Sequence, residues 1–139
     1  MKLKINLLVI LIAFLSSCSK EKTNLLLSPN KELILNISNK DDSSFFTATY
    51  KGDTLFNKSS LGLQINKTNF SKNIRFTEIS KNEFDETWTT INGKQATVRN
   101  HYNEYKLRIS KTNEEQKFHE IIFRLYNKGF AYRYNFPLE

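Results

Sequence analysis

The 139-residue chain has little cysteine, proline or glycine: one, two and four residues respectively. A single thiol cannot close an internal disulfide, so no disulfide framework holds the fold. Scarce glycine and proline exclude collagen-like and low-complexity chains. The length suits one domain and falls short of a stand-alone (β/α)8 barrel, which needs roughly 200 residues or more. Long apolar runs are missing too. The longest is Leu7–Leu15, well below the about 20 residues that cross a bilayer as a helix. Charge of one sign is present but not sorted. The net charge is +7, yet lysines alternate with acids (Lys81/Glu83/Asp85/Glu86 and Lys111/Glu114/Glu115/Lys117), so no basic stripe forms for nucleic acid. What the chain does have is aromatic residues, with Phe 11, Tyr 6 and Trp 1, a load that argues against disorder.

The N-terminus reads as an export signal. Lys2 and Lys4 precede the apolar run, and Ser16-Ser17 lead into Cys18. Leu15-Ser16-Ser17-Cys18 resembles the lipobox of bacterial lipoproteins, in which the cysteine is acylated and becomes the new N-terminus. Acylation accounts for an otherwise unpaired exported thiol, and more than one acyl chain anchors stably where a single chain does not. The expected organisation is a lipoprotein signal peptide at 1–17, a tether at 18–27 and a folded unit at 28–139. Anchoring through acylated Cys18, in the outer membrane facing the periplasm, is the matching location.

The rest of the chain reads as strands. Glu32–Ser38 alternates, with Leu33, Leu35 and Ile37 on one face. Phe45–Tyr50 and Asp53–Phe56 flank a Lys51-Gly52 turn, and Leu61–Ile65 is a short strand. Phe84–Ile91 ends at Asn92-Gly93 and resumes at Gln95–Arg99. Tyr102–Ser110 puts Asn103, Tyr105, Leu107 and Ile109 on one face. Lys111–Gln116 reads as a polar turn before Phe118–Tyr126, where His119, Ile121, Phe123 and Leu125 oppose Glu120, Ile122 and Arg124. Phe130–Phe136 follows and Pro137 stops it. No window shows a helical apolar period. The fold class is all-β, an antiparallel sandwich or part of one.

Candidate chemistry is sparse. His101 and His119 have no third ligand at metal spacing, and both are expected at surface or rim positions. Glu83, Asp85 and Glu86 gather before Trp88, but Asp85 and Glu86 point to opposite faces of a strand and cannot form a facing catalytic pair. Asp41-Asp42 lacks the later carboxylates of a calcium loop. There is no phosphate loop and no Gly-x-Ser-x-Gly elbow. Trp88 and the tyrosines at 102, 105, 126, 132 and 134 suit either sugar stacking or cross-strand packing.

Three stretches in order are similar to the N-terminal β-sandwich of glycoside hydrolase family 97, the family of the SusB-type α-glucosidases. Ser28-Pro29-Asn30-Lys31-Glu32-Leu33 resembles its opening "SPDGK-h" segment, with Glu32 standing where a turn glycine is usual. Tyr50-Lys51-Gly52 and Ser60-Leu61-Gly62-Leu63 resemble "Y-x-G-x-x-h … S-x-LG-h". The third block runs from Glu86 to Pro137 and holds Trp88, Arg99-Asn100-His101-Tyr102-Asn103-Glu104 and Phe123-Arg124-Leu125-Tyr126-Asn127-Lys128-Gly129-Phe130-Ala131-Tyr132-Arg133-Tyr134. It looks like "W … RNHYNE … FR-x-YN-x-G-x-AFRY".

The resemblance implies a galactose-mutarotase-like sandwich, here incomplete, and an exported chain that handles α-linked glycans. In complete members the sandwich precedes a catalytic (β/α)8 barrel, and calcium and carboxylate catalysts serve inverting α-glucosidases and retaining α-galactosidases alike. The barrel would supply the catalysts, so no catalytic or metal residue and no cofactor is carried over to this chain, and Glu139 does not match the family's calcium-binding glutamate. Trp88, Arg99, Asn100, His101, Tyr102 and Glu104 are the expected glycan-facing or barrel-facing surface. The expected function is the non-catalytic N-terminal portion of an α-glycosidase, inactive alone. The alternative is a small non-enzymatic lipoprotein that binds glycans or a partner protein.

Overall fold

The computed structural model describes residues 24–40, 43–65, 68–91, 96–111 and 114–136. The expected export signal at 1–17, Cys18, Asp41-Asp42, Asn92-Gly93, Pro137 and Glu139 lie outside the described residues.

Ten strands are formed: β1 (Asn24–Leu27), β2 (Leu33–Lys40), β3 (Ser43–Tyr50), β4 (Asp53–Ser60), β5 (Gln64–Ile65), β6 (Thr68–Asn69), β7 (Ile74–Thr89), β8 (Thr97–Lys111), β9 (Glu114–Tyr126) and β10 (Gly129–Asn135). They build two four-stranded sheets, β1-β2-β3-β4 and β10-β9-β8-β7, plus the small β5-β6 hairpin. Every ladder is antiparallel, so each large sheet is a meander in which chain neighbours pair. The described fold is an all-β antiparallel sandwich.

Its core follows from strand alternation. The face of the first sheet carrying Leu26, Leu33, Leu35, Ile37, Phe46 and Ala48 packs on the face of the second carrying Tyr105, Leu107, Ile109, Ile121, Phe123 and Leu125. Each buried Leu, Ile or Phe contributes about 1.5–3 kcal/mol of transfer free energy. Phe46 meets Phe123 edge-on with centroids 6.3 Å apart, which locks one sheet over the other. A polar clasp adds to this. The Tyr105 hydroxyl accepts from the Leu27 N–H at 3.0 Å and donates to the Leu27 carbonyl at 3.1 Å, while Asn103 Nδ2 donates to the same carbonyl at 2.8 Å.

Turn chemistry is visible at two places. Lys51 and Gly52 both take positive φ, 54° and 94°, the backbone of a type I′ hairpin turn. In the Ser28–Leu33 segment the left-handed residue is Lys31, with φ 61°. The position a turn glycine would fill is therefore Lys31, and the expectation that Glu32 replaces it is corrected.

Other expectations shift as well. Asn24–Leu27, assigned above to a tether, form β1, because Leu26 is buried in the core. Residues 74–83 read as no strand, yet they are the first half of β7. A register shift between Phe76 and Glu78 breaks the alternation there. The two runs expected at Gln95–Arg99 and Tyr102–Ser110 are one continuous strand, β8. The Leu61–Ile65 strand shrinks to Gln64–Ile65. Leu61 is instead a buried plug, and Gly62 lies so close to Ser71 that a Cβ there would overlap its backbone. The polar turn expected at Lys111–Gln116 is shorter, since β9 starts at Glu114.

Candidate functional site

β7 and β8 stay paired well past the sandwich, from Ile74↔Lys111 to Thr89↔Thr97. From Ser80 to Thr89 and from Thr97 to Arg99 nearly every side chain is exposed or half-buried, so the far part of this hairpin is a ribbon with two open faces. Register decides which residues share a face. Asp85 stands opposite His101 and Glu83 opposite Asn103, on the face that continues the core. Phe84 stands opposite Tyr102, Glu86 opposite Asn100 and Trp88 opposite Val98, on the outer face.

The six residues expected to form one surface are therefore divided. Arg99 and His101 lie on the inner face; Trp88, Asn100, Tyr102 and Glu104 lie on the outer one.

The inner face carries ion pairs. Arg99 grips Asp85 with two hydrogen bonds, Nε to Oδ1 at 2.7 Å and Nη2 to Oδ2 at 2.6 Å. The guanidinium hydrogen bond holds the Asp85 carboxyl below the usual carboxylate range, and the same bond raises Arg99. Glu83 Oε1 and His101 Nε2 sit 2.9 Å apart. Asp85 is thus held as the anionic partner of a guanidinium. Asp85 and Glu86 do fall on opposite faces, as the strand geometry requires.

The outer face is aromatic and better ordered. Phe84 stacks on Tyr102 with centroids 5.0 Å apart and planes at 19°, and Tyr102 touches Tyr126 at 5.2 Å. The Arg124 guanidinium lies 4.9 Å over the Tyr102 ring, and its Nε donates to Glu104 Oε2 at 2.9 Å. That bond raises Arg124, and burial raises the Tyr102 phenol. Trp88 sits four positions along β7 from Phe84 and is 46% exposed. Five residues thus make a pre-packed strip, Phe84, Tyr102, Tyr126, Arg124 and Glu104, with an open indole further along the ribbon. Phe84, Tyr126 and Arg124 are missing from the expected surface; Tyr126 was weighed only as a stacking or packing aromatic, and Arg124 is the one charged member missed. Its signal was available, because the alternation of Phe118–Tyr126 puts it on the polar face.

His119 departs from expectation. It is buried, 5% exposed, between Phe70, Tyr134 and Phe136 at 5.4, 6.2 and 5.4 Å. Its place on the apolar face of β9, with Ile121 and Phe123, takes it off the rim. Burial lowers its pKa. Among the described residues no three His, Cys, Asp or Glu side chains gather in a way that could hold a metal ion.

Two facing meanders with a projecting aromatic ribbon define a β-sandwich module, built for packing and contact. A family profile described as "Glycosyl-hydrolase 97 N-terminal" matches residues 26–139. The chain belongs to the glycosyl-hydrolase 97 N-terminal domain family. Similar solved structures agree with the fold. A glycoside hydrolase family 97 enzyme from Pseudoalteromonas sp. strain K8, in complex with acarbose, superposes with a TM-score of 0.75 at 21% identity. Its E480Q form in complex with panose gives the same values. A beta-arabinopyranosidase superposes with a TM-score of 0.74 at 25% identity. In each case the match covers 84% of this chain and 18% of the other. The chain thus spans under a fifth of the length of these enzymes.

Proposed function

We propose that the chain is the non-catalytic N-terminal portion of an exported α-glycosidase, inactive alone, with the outer face of the β7–β8 ribbon as its contact surface for α-linked oligosaccharide. The observation that carries this reading is the family match over 26–139 in a chain that covers only 18% of the solved enzymes. The chemistry of glycosidic cleavage then belongs to a (β/α)8 barrel outside these residues, and the calcium expected in the full-length enzymes takes no ligand from them. The similar enzymes include complexes with acarbose and panose and a beta-arabinopyranosidase, which supports a glycoside as the substrate class. Acylation of Cys18 tethers the protein to the outer membrane on its periplasmic side, in keeping with the lipobox-like Leu15–Cys18 segment.

Two assays test the reading. The chain should release no nitrophenol from nitrophenyl α-glucoside or α-galactoside, and measurable turnover by the purified chain would defeat it. Affinity electrophoresis through malto-oligosaccharide gels should show retardation that Trp88→Ala removes. Unchanged retardation in that variant would strip the indole of its role. For the anchor, metabolic labelling with palmitate should mark the wild type and not Cys18→Ser.

A further inference from the structure

The outer face of β9 and β10 carries a notch away from the ribbon. Register places Tyr126, Arg124 and Ile122 of β9 opposite Gly129, Ala131 and Arg133 of β10. Two of those three β10 positions have little or no side chain, and a Cβ added at Gly129 would meet nothing within 4 Å. The result is a shallow pocket of about 230 Å³ lined by Ile122, Arg124, Tyr126, Ala131, Tyr132 and Arg133. Drug-sized ligands fill about 300–1,000 Å³, so the notch suits something smaller, near the size of one sugar ring.

Its electrostatics select the sign of the ligand. Glu104 and Glu120, the acids that flank it, are already engaged. Glu104 accepts from Arg124 Nε, and Glu120 accepts from Asn135 Nδ2 at 2.9 Å. Arg124 is held in place by that bond and by the Tyr102 ring beneath it. Arg133 is exposed and, among the described residues, makes no hydrogen bond or ion pair. Lys106 stands opposite Ile122 on the adjoining strand and adds a further positive charge. A planar guanidinium matches a carboxylate with two parallel hydrogen bonds. Ile122 and Ala131 form an apolar floor, and the Tyr126 ring offers a wall for the C–H face of a pyranose.

We infer that this notch binds a carboxylated sugar of the uronic acid class, with Arg133 as the carboxylate clamp and Arg124 fixing the orientation. The notch shares Arg124 and Tyr126 with the aromatic strip, but its clamp, Arg133 of β10, lies outside that strip and its ligand is charged, so Arg133→Gln tests it without touching the Trp88 reading.

The test is an NMR titration of the full chain with sodium glucuronate, glucose and sodium acetate, followed at the Gly129 and Ala131 amides. Glucuronate should saturate with a Kd on the order of 1 mM, with acetate at least about tenfold weaker and glucose without effect. Arg133→Gln should weaken glucuronate about tenfold. Ala131→Leu fills the notch without touching a charge and should abolish binding with an unchanged melting curve. Equal saturation by acetate would reduce the notch to a bare anion site and overturn the proposal. So would equal saturation by glucose, no shift with glucuronate, or binding unaltered in both variants.

Discussion

Strand β8 lives in two surroundings. From Asn103 to Ser110 it crosses the middle of the sandwich, with Tyr105, Leu107 and Ile109 at 5, 0 and 0% exposure. From Thr97 to Arg99 it runs through the ribbon, where Thr97 and Arg99 are exposed. The backbone ladder to β7 continues through both. The two halves therefore share their hydrogen bonding and differ in what their side chains remove from water. A net backbone hydrogen bond contributes only about 0.5–1.5 kcal/mol, and an isolated two-stranded hairpin is marginal in water. The sandwich holds the ribbon; the ribbon adds little to the sandwich.

The largest effect should come from the middle of the covered region. Phe123 is fully buried and contacts Phe46 and Tyr132, so Phe123→Ala should cost about 3–5 kcal/mol in urea unfolding. A loss under 1 kcal/mol would show that the sheets are not packed through this ring.

A smaller loss should follow Arg124→Met. It leaves Glu104, whose side chain is 8% exposed, without its cation. Full burial would cost 3–5 kcal/mol, but Arg124 is 42% exposed, and solvent screening reduces this to about 1–3 kcal/mol. Glu104→Gln in the same background should recover part of it. A double variant no better than the single would place the cost in lost packing on Tyr102.

His119 gives the sandwich a pH dependence near neutrality. Its folded pKa lies below the unfolded value of about 6.5, so the unfolded chain binds the proton more readily. Stability is therefore greatest above about pH 6.5 and falls as the pH drops through that value toward the lowered folded pKa. His119→Phe should flatten the melting temperature between pH 7 and 5. An unaltered slope would assign the dependence to other groups.

The smallest effect belongs to the ribbon. Asp85→Asn removes the bidentate partner of Arg99 at a fully exposed position, and exposed pairs contribute little. The urea midpoint should not move measurably. A clear drop would mean that the ribbon is stitched into the cooperative unit.

The alternation of Leu33, Leu35 and Ile37, or of Asn103, Tyr105, Leu107 and Ile109, was legible because one face is dry and the other wet. β7 was legible only in its late part, read as Phe84–Ile91; its early part carries a bulge that breaks the alternation. The ribbon misled for a different reason. Arg99–Glu104 reads as one motif, yet successive residues point to opposite sides, and only register shows which neighbours each one meets. Arg124 was visible as polar but not as the partner of Glu104, since strand pairing across twenty residues leaves no local trace. His119 looked like a rim residue because its aromatic cage comes from Phe70, Tyr134 and Phe136, three separate segments.

Both edges on one side of the sandwich, β4 and β10, leave Phe56 and Tyr132 47% and 43% exposed. A register shift in the β3–β4 ladder partly blunts the first edge, but edges that expose apolar side chains recruit further strands. Tyr132→Lys with Phe56→Lys should raise the monomer fraction in sedimentation, and no change would exonerate the seam.

The meander order bears on how the fold is reached. Because within each large sheet every strand pairs with its neighbour in the chain, ladder contacts are local and contact order within each sheet is low. Such hairpins zip in about 1–10 μs, far faster than synthesis. β1 to β4 thus have time to pair before β8 and β9 exist to cover Leu33, Leu35, Ile37 and Phe46. During that interval the molecule is a one-sided, greasy half, and the docking of the second sheet, not the forming of either, sets how long it remains exposed.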